Sequence, residues 1–216
     1  MNFKIKGKDG KARLGELKLT RGTIKTPAFM PVGTAATVKA MLPENVKLLG
    51  ADIILCNTYH LMLRPGEDLI QKMGGLQSFM NWNGPILTDS GGFQIWSLSK
   101  LRKIENDGVI FSSHIDGKKY KLTPESSIKI QEKLNSNITM VLDECTDHPS
   151  SYLESKNSME LSINWAKKCL KVYKEKNGYG LFSIVQGGMY KDLRKKNAEI
   201  LVNMSFDGYA LGGLSV

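Results

Sequence analysis

Hydrophobic and polar residues change rhythm near residue 26. Residues 3–25 alternate polar and apolar positions around the turn Lys8-Asp9-Gly10-Lys11, and Arg21-Gly22 marks a second turn. That spacing predicts antiparallel strands forming a cap or edge sheet. Beyond it, short apolar runs rich in Ile, Leu and Val recur at residues 28–32, 52–56, 85–88, 139–142, 182–185 and 209–211. Runs that are apolar throughout, rather than alternating, suit parallel strands covered on both faces by crossover helices. Helical spacing occupies intervals between them: residues 43–49 behind Pro43-Glu44-Asn45, residues 124–134 behind Thr123-Pro124-Glu125, and residues 155–174 and 192–204. Residues 109–120 alternate around Asp116-Gly117, the pattern of an inserted hairpin. No internal domain boundary is evident.

The predicted fold class is therefore α/β, a (β/α) TIM-type barrel with N-terminal antiparallel strands and an inserted hairpin. Six core strands are counted where closure needs about eight, so residues 1–216 are expected to be a single partial barrel domain, truncated at the C-terminus. Unpaired strand edges in such a chain would make it unstable or adhesive by itself.

Composition narrows the classes. No run approaches the roughly 18 apolar residues of a membrane span, and residues 1–13 lack the apolar stretch of a secretory signal, so a cytoplasmic protein with no membrane partner is expected. Cys56, Cys145 and Cys169 are odd in number and never in a C-x-x-C pair, against a disulfide framework or a self-contained zinc site. Thirty Lys and Arg against 21 Asp and Glu give a net charge of +9, which favours a nucleic-acid partner. The lysines are spread along the chain, and a run such as Lys167, Lys168 and Lys171 reads first as a solvated helix face.

The chemistry gathers just after the predicted strands: Asn57-Thr58-Tyr59-His60, Asp89-Ser90-Gly91-Gly92, Asp143-Glu144-Cys145, Gln186-Gly187-Gly188 and Gly212-Gly213. In a parallel barrel the active site is assembled at that face. A lone aspartate after a strand is often only a helix N-cap, the reading taken for Asp147 and Asp192. Asp89 differs, because Ser90-Gly91-Gly92 lets a backbone approach a ligand closely. Asp143, Gln186 and the Gly213 backbone offer the acceptors and donors that the Watson-Crick edge of guanine needs. His60, His114 and His148 are dispersed and read as loop or hairpin residues.

Four words in order, Thr88-Asp89-Ser90-Gly91-Gly92-Phe93-Gln94, Met140-Val141-Leu142-Asp143-Glu144-Cys145-Thr146, Ile184-Val185-Gln186-Gly187-Gly188 and Ala210-Leu211-Gly212-Gly213-Leu214-Ser215-Val216, closely resemble the tRNA-guanine transglycosylases, also called queuine tRNA-ribosyltransferases. The resemblance implies a pentosyltransferase of queuosine biosynthesis that exchanges guanine at the wobble position of tRNA for a deazaguanine through a covalent ribosyl-enzyme intermediate. It implies that Asp89 is the catalytic acid/base and contacts the base, that Ser90, Gly91, Gly92 and Phe93 complete its loop with Phe93 stacking on the purine, and that Asp143, Gln186 and Gly213 read the base edge. Cys145, Gly212 and Leu214 are placed around that pocket.

The implied partners are tRNA and a guanine or deazaguanine base, with a homodimer or a complementary C-terminal fragment as further possibilities. In the family the nucleophilic aspartate and a zinc site of three cysteines and one histidine lie beyond the Gly-Gly-Leu motif, so zinc ligands and nucleophile are both expected to be absent from these 216 residues and the chain is expected to be inactive alone. Two alternatives stay open: a catalytically dead remnant or partner subunit that retains base or protein binding, and a barrel hydrolase acting on a nucleobase or sugar.

Overall fold

The computed structural model describes residues 1–98 and 101–214. Along the chain the elements are β1 (Asn2–Asp9), β2 (Ala12–Leu19), β3 (Gly22–Thr26), α1 (Pro43–Leu48), β4 (Ile54–Cys56), α2 (Thr58–Leu63), α3 (Glu67–Lys72), α4 (Leu76–Phe79), β5 (Ile86–Thr88), α5 (Gly92–Leu98), β6 (Arg102–Glu105), β7 (Gly108–Ser112), β8 (Lys119–Leu122), α6 (Pro124–Lys133), β9 (Ile138–Met140), α7 (Tyr152–Val172), β10 (Gly180–Val185), α8 (Lys191–Val202) and β11 (Gly208–Leu211). The fold is mixed α/β around parallel strands. Its residues group into two compact units, Met1–Asp89 with Ile130–Thr139 and Lys174–Gly180, and Ser90–Lys129 with Met140–Tyr173 and Leu181–Val216.

In the first unit β1, β2 and β3 form the expected antiparallel sheet. The first turn closes between Asp9 and Ala12, with Gly10 at φ 56° in the left-handed region that an Asp-Gly turn needs. A bulge between Ile5 and Gly7 shifts the register, and β1 is exposed along nearly its whole length, as an edge strand should be. Leu19 and Ile24 are the buried positions of this sheet. The parallel strands follow, β4 beside β5 from Ile54↔Ile86 to Cys56↔Thr88, and β5 beside β9 through Leu87↔Ile138 and Thr88↔Thr139. All of β5 and β9 is buried, which is what continuous apolar runs predict.

The expected strand at residues 28–32 does not form. Only a parallel bridge joins Val32 to Leu55, with Leu55 N–H donating to the Pro31 carbonyl at 3.0 Å and Gly33 N–H to the Leu55 carbonyl at 2.6 Å. Pro27 and Pro31 have no N–H for a ladder, and Phe29 between them is 82% exposed. Five of the six expected core strands are present among the described residues. Three short helices of this unit went unpredicted, α2, α3 and α4. α3 carried a legible signal in Gly66 followed by Glu67 and Asp68, an acidic first turn that suits the positive end of the helix dipole.

In the second unit β10 lies parallel to β11 from Phe182↔Gly208 to Val185↔Leu211, and Val141 N–H donates to the Phe182 carbonyl. β11 departs from the buried pattern: its residues alternate, with Leu211 71% exposed, because only β10 pairs with it among the described residues. The inserted hairpin is β7 and β8, its turn held by Gly117 N–H to the Ser113 carbonyl and Lys118 N–H to Asp116 Oδ1. A third strand, β6, completes it antiparallel to β7; its charged Arg-Lys-Ile-Glu sequence hid it.

α7 begins with a full capping box, Ser151 Oγ accepting from the Glu154 N–H while the Glu154 carboxylate accepts from the Ser151 N–H. Met159 and Ile163 of α7 pack with Leu193 of α8, joined by Tyr190, Ile200 and Met204. Neither Asp147 nor Asp192 is an N-cap, contrary to expectation. Ser151 caps α7, and Asp192 lies inside the first turn of α8, accepting from the Tyr152 hydroxyl at 2.7 Å. His60 also departs from its loop reading and lies in α2.

Candidate functional site

Polar residues follow every parallel strand, as the rhythm predicts: Asn57 after β4, Asp89 after β5, Asp143 after β9, Gln186 after β10 and Gly212 after β11. They fall into two groups.

The first group, in the first unit, surrounds Asp89. The loop that opens α2 presents Asn57, whose side-chain amide donates to Asp89 Oδ2, and the Thr58 N–H, which donates to Oδ1 at 2.9 Å. Thr58 Oγ1 donates to the Asp89 carbonyl at 2.6 Å, and Asp89 N–H to the Cys56 carbonyl at 3.1 Å. Donors on both oxygens fix the orientation of this half-buried carboxylate. Asn57 and Thr58 are themselves buried. Close by, burial first and the Asp89 charge second push the Cys56 thiol up to about 12, so it is no nucleophile at neutral pH.

The second group surrounds Asp143. Its carboxylate is 6% exposed and receives the Ser90 hydroxyl on Oδ1 at 3.1 Å and the Gln186 amide on Oδ2 at 2.7 Å. Burial holds its pKa above the ordinary carboxylate value, and the hydrogen bonds from Gln186 and Ser90 only partly offset that. Cys145 Sγ, 4.0 Å from Oδ2, adds a weak third donor. Ser90 is fixed in turn, its hydroxyl accepting from the Gly92 N–H and its carbonyl from the Ser127 hydroxyl.

Two glycines make the approach possible. A Cβ at Gly92 would sit 2.5 Å from the Asp143 carbonyl oxygen and 3.1 Å from Oδ1, and a Cβ at Gly212 would sit 2.6 Å from Gln186 Nε2. Any side chain there would displace a member of the group. Gly91 and Gly213 both have positive φ. The Gly212 carbonyl accepts from Arg194 at 3.0 Å, a partner that sequence reasoning missed because nothing in its spacing marked it.

Phe93 is 41% exposed on α5, its ring 5.4 Å from that of Trp96. Leu214 is exposed. Cys145 is half-buried with Sγ 4.0 Å from Asp143 Oδ2, and burial with two neighbouring carboxylates, Asp143 and Glu144, pushes its thiol far above the usual range. Ser215 and Val216, which end the fourth motif, lie outside the described residues.

The chain after β9 has no regular structure through residue 151, and α7 holds it: Glu144 N–H donates to Ser162 Oγ at 3.0 Å and Ser158 Oγ to the Glu144 carbonyl at 3.3 Å. A cavity of about 570 Å³ adjoins this segment, lined by Arg102, Glu144, Cys145, Asp147 and Asn157 among others. Glu144, half-buried in its wall, has its pKa raised mainly by burial. Among the described residues no three His, Cys, Asp or Glu side chains gather as a metal ion would require, so they do not fit zinc. Likewise no helix among them is long and apolar enough to cross a membrane.

A family model described as Queuine tRNA-ribosyltransferase matches residues 8–216. Proteins named "Queuine tRNA-ribosyltransferase" are similar along the chain: that of Granulibacter bethesdensis is 55% identical over 216 residues, all of this chain and 57% of the relative. That of Rickettsia felis is 55% identical over 215 residues, covering 60% of the relative, and that of Caldanaerobacter subterraneus subsp. tengcongensis 61% over 206 residues, 95% of this chain and 55% of the relative. The chain thus spans somewhat over half the length of these curated relatives.

Proposed function

The chain belongs to the queuine tRNA-ribosyltransferase family, and on that premise we propose that it supplies the base recognition and proton transfer of tRNA-guanine transglycosylation. The reaction exchanges guanine at the wobble position of a tRNA for a deazaguanine precursor of queuosine. The observation that carries the reading is Asp143, a buried carboxylate braced by Gln186 and Ser90.

Guanine presents two adjacent N–H donors and one carbonyl on its Watson-Crick edge. Asp143 accepts from both donors, while the Gly213 N–H and the second N–H of Gln186 are the donors assigned to the carbonyl. Phe93 stacks on the purine face. Because burial penalises the Asp143 anion, a ligand bringing two donors is bound in preference to one that brings acceptors.

In the exchange, a carboxylate attacks the anomeric carbon as the bond to the purine nitrogen breaks, and the electron pair leaves on that nitrogen. The departing base needs a proton and the incoming base must lose one. Asp89 is the group assigned to both transfers, oriented by Asn57 and Thr58. No residue of the described chain is assigned the attack, and no step is routed through a metal. The parallel strands are read as part of a TIM-type barrel, and tRNA as partner implies the cytoplasm.

Calorimetric titration of the chain with guanine and, separately, adenine tests the reading. Guanine is expected to bind and adenine, whose edge reverses the donor pattern, is not. Equal binding of the two, or binding of neither, overturns it.

A further inference from the structure

The base-reading carboxylate sits on a segment that is itself neither helix nor strand. Residues 141–151 lack regular structure, and beyond Glu144 the grip of α7 on their backbone gives way to side-chain contacts. One of those contacts joins the segment to α5. Trp96 Nε1 donates to Asp147 Oδ1 at 2.6 Å, Arg102 Nη1 donates to the Trp96 carbonyl at 2.8 Å, and Arg102 Nη2 lies 3.9 Å from the same Asp147 oxygen. An indole, its own carbonyl, a guanidinium and a carboxylate thus close a triangle. From this we propose that Trp96, Arg102 and Asp147 form a clamp of positioning residues that holds Phe93 and the Asp143 segment in register for base recognition.

The geometry gives the clamp two points of action. At its N-terminal end α5 already meets the segment, where Gly92 packs against the Asp143 carbonyl with no room for a Cβ. The Trp96–Asp147 bond ties the same two stretches four residues further along each, and two ties restrain an angle that one leaves free. The second action is on Phe93. It lies three residues before Trp96, one helical turn away, and their rings are 5.4 Å apart at 41°. A Trp96 ring fixed by its N–H braces the ring assigned to stack on the purine.

Arg102 contributes from β6, so the antiparallel insert is what delivers the guanidinium. Its side chain is 28% exposed, against 76% for Asp147, and the ion pair at 3.9 Å is too long and too wet to hold the clamp alone. The neutral-donor bond to Asp147 and the Arg102 bond to the Trp96 carbonyl are therefore the working contacts. The exposure of Asp147 also makes its substitution tolerable to the fold.

The inference rests on the base-recognition reading for its consequence but not for its geometry, and two measurements on the whole chain separate them. Amide hydrogen exchange across residues 143–148 is expected to speed up roughly five-fold or more in Asp147→Ala and Trp96→Phe. Asp147→Asn, which keeps the acceptor for the indole, should restore the wild-type rate. Guanine titration should show affinity roughly five-fold weaker in the first two variants and near wild type in the third, with Asp143→Ala as the reference for lost recognition. Unchanged exchange in Asp147→Ala and Trp96→Phe overturns the clamp, as does weakened guanine binding in neither when the wild type binds. A wild type that binds no guanine overturns the base-recognition reading instead, and faster exchange with Asn rescue then still supports the clamp.

Discussion

Asp89 and Asp143 both follow a buried parallel strand, and both are aspartates in motifs of the same family, yet the structure buries them to different depths. Asp89 is half-buried, with backbone and amide N–H donors on both carboxylate oxygens. Asp143 is buried and held by a hydroxyl and a side-chain amide, and burial raises its pKa in spite of them. Both carboxylates have a donor on each oxygen, but only Asp143 is buried deeply enough for desolvation to raise its pKa against those donors. On the proposed function, the deeper carboxylate is the one assigned to the base edge and the shallower one to proton transfer.

The comparison breaks most sharply at Asp143. Asp143→Ala removes the acceptor for two guanine donors, and guanine affinity should fall by at least roughly 100-fold, given about 1.5–3 kcal/mol for each hydrogen bond to a charged group. Retained affinity in calorimetry would remove the assignment.

The second effect is in pH. The raised pKa of empty Asp143 means that its anion is the disfavoured form, and guanine, which donates to the anion, lowers that pKa on binding. Affinity is therefore full above the raised pKa and declines as pH falls through it, by up to about ten-fold per pH unit for one linked proton. Asp143→Asn should flatten this profile, and an unchanged slope in that variant would assign the proton elsewhere. The same sign applies to folding: with its folded pKa above the unfolded one, the stability Asp143 contributes is present below its unfolded pKa and lost as pH rises through the folded one. The site carries that burden at neutral pH.

The smallest effect belongs to the shallower carboxylate, Asp89. Asn57→Ala withdraws one of the donors on Asp89, and a loss of about 1 kcal/mol of stability in thermal unfolding is expected, with guanine affinity changed no more than about two-fold. A loss as large as that of Asp143→Ala would erase the distinction between the two.

Much of this was legible in one dimension. The Asp-Gly turns at Asp9-Gly10 and Asp116-Gly117 announced both antiparallel pieces, because only a few residues accept the left-handed backbone they need. The apolar runs ending in Asp89, Asp143 and Gln186 announced the strand ends. Residues 28–32 misled because apolar character was weighed above the missing N–H groups of Pro27 and Pro31. Asp147 misled because position after a strand resembles a cap, whereas its partner, Trp96, lies 51 residues away.

By itself, then, the sequence determined the alternation of strands and helices, the turns, and which residue types stand at each strand end, all of which depend on neighbours within a few positions along the chain. Only the tertiary structure decided what those residues are worth. How deeply an aspartate is buried and which groups hold it depend on donors such as Gln186, 43 residues distant from Asp143, and on glycines such as Gly92 and Gly212 whose missing side chains matter only once another segment is packed against them.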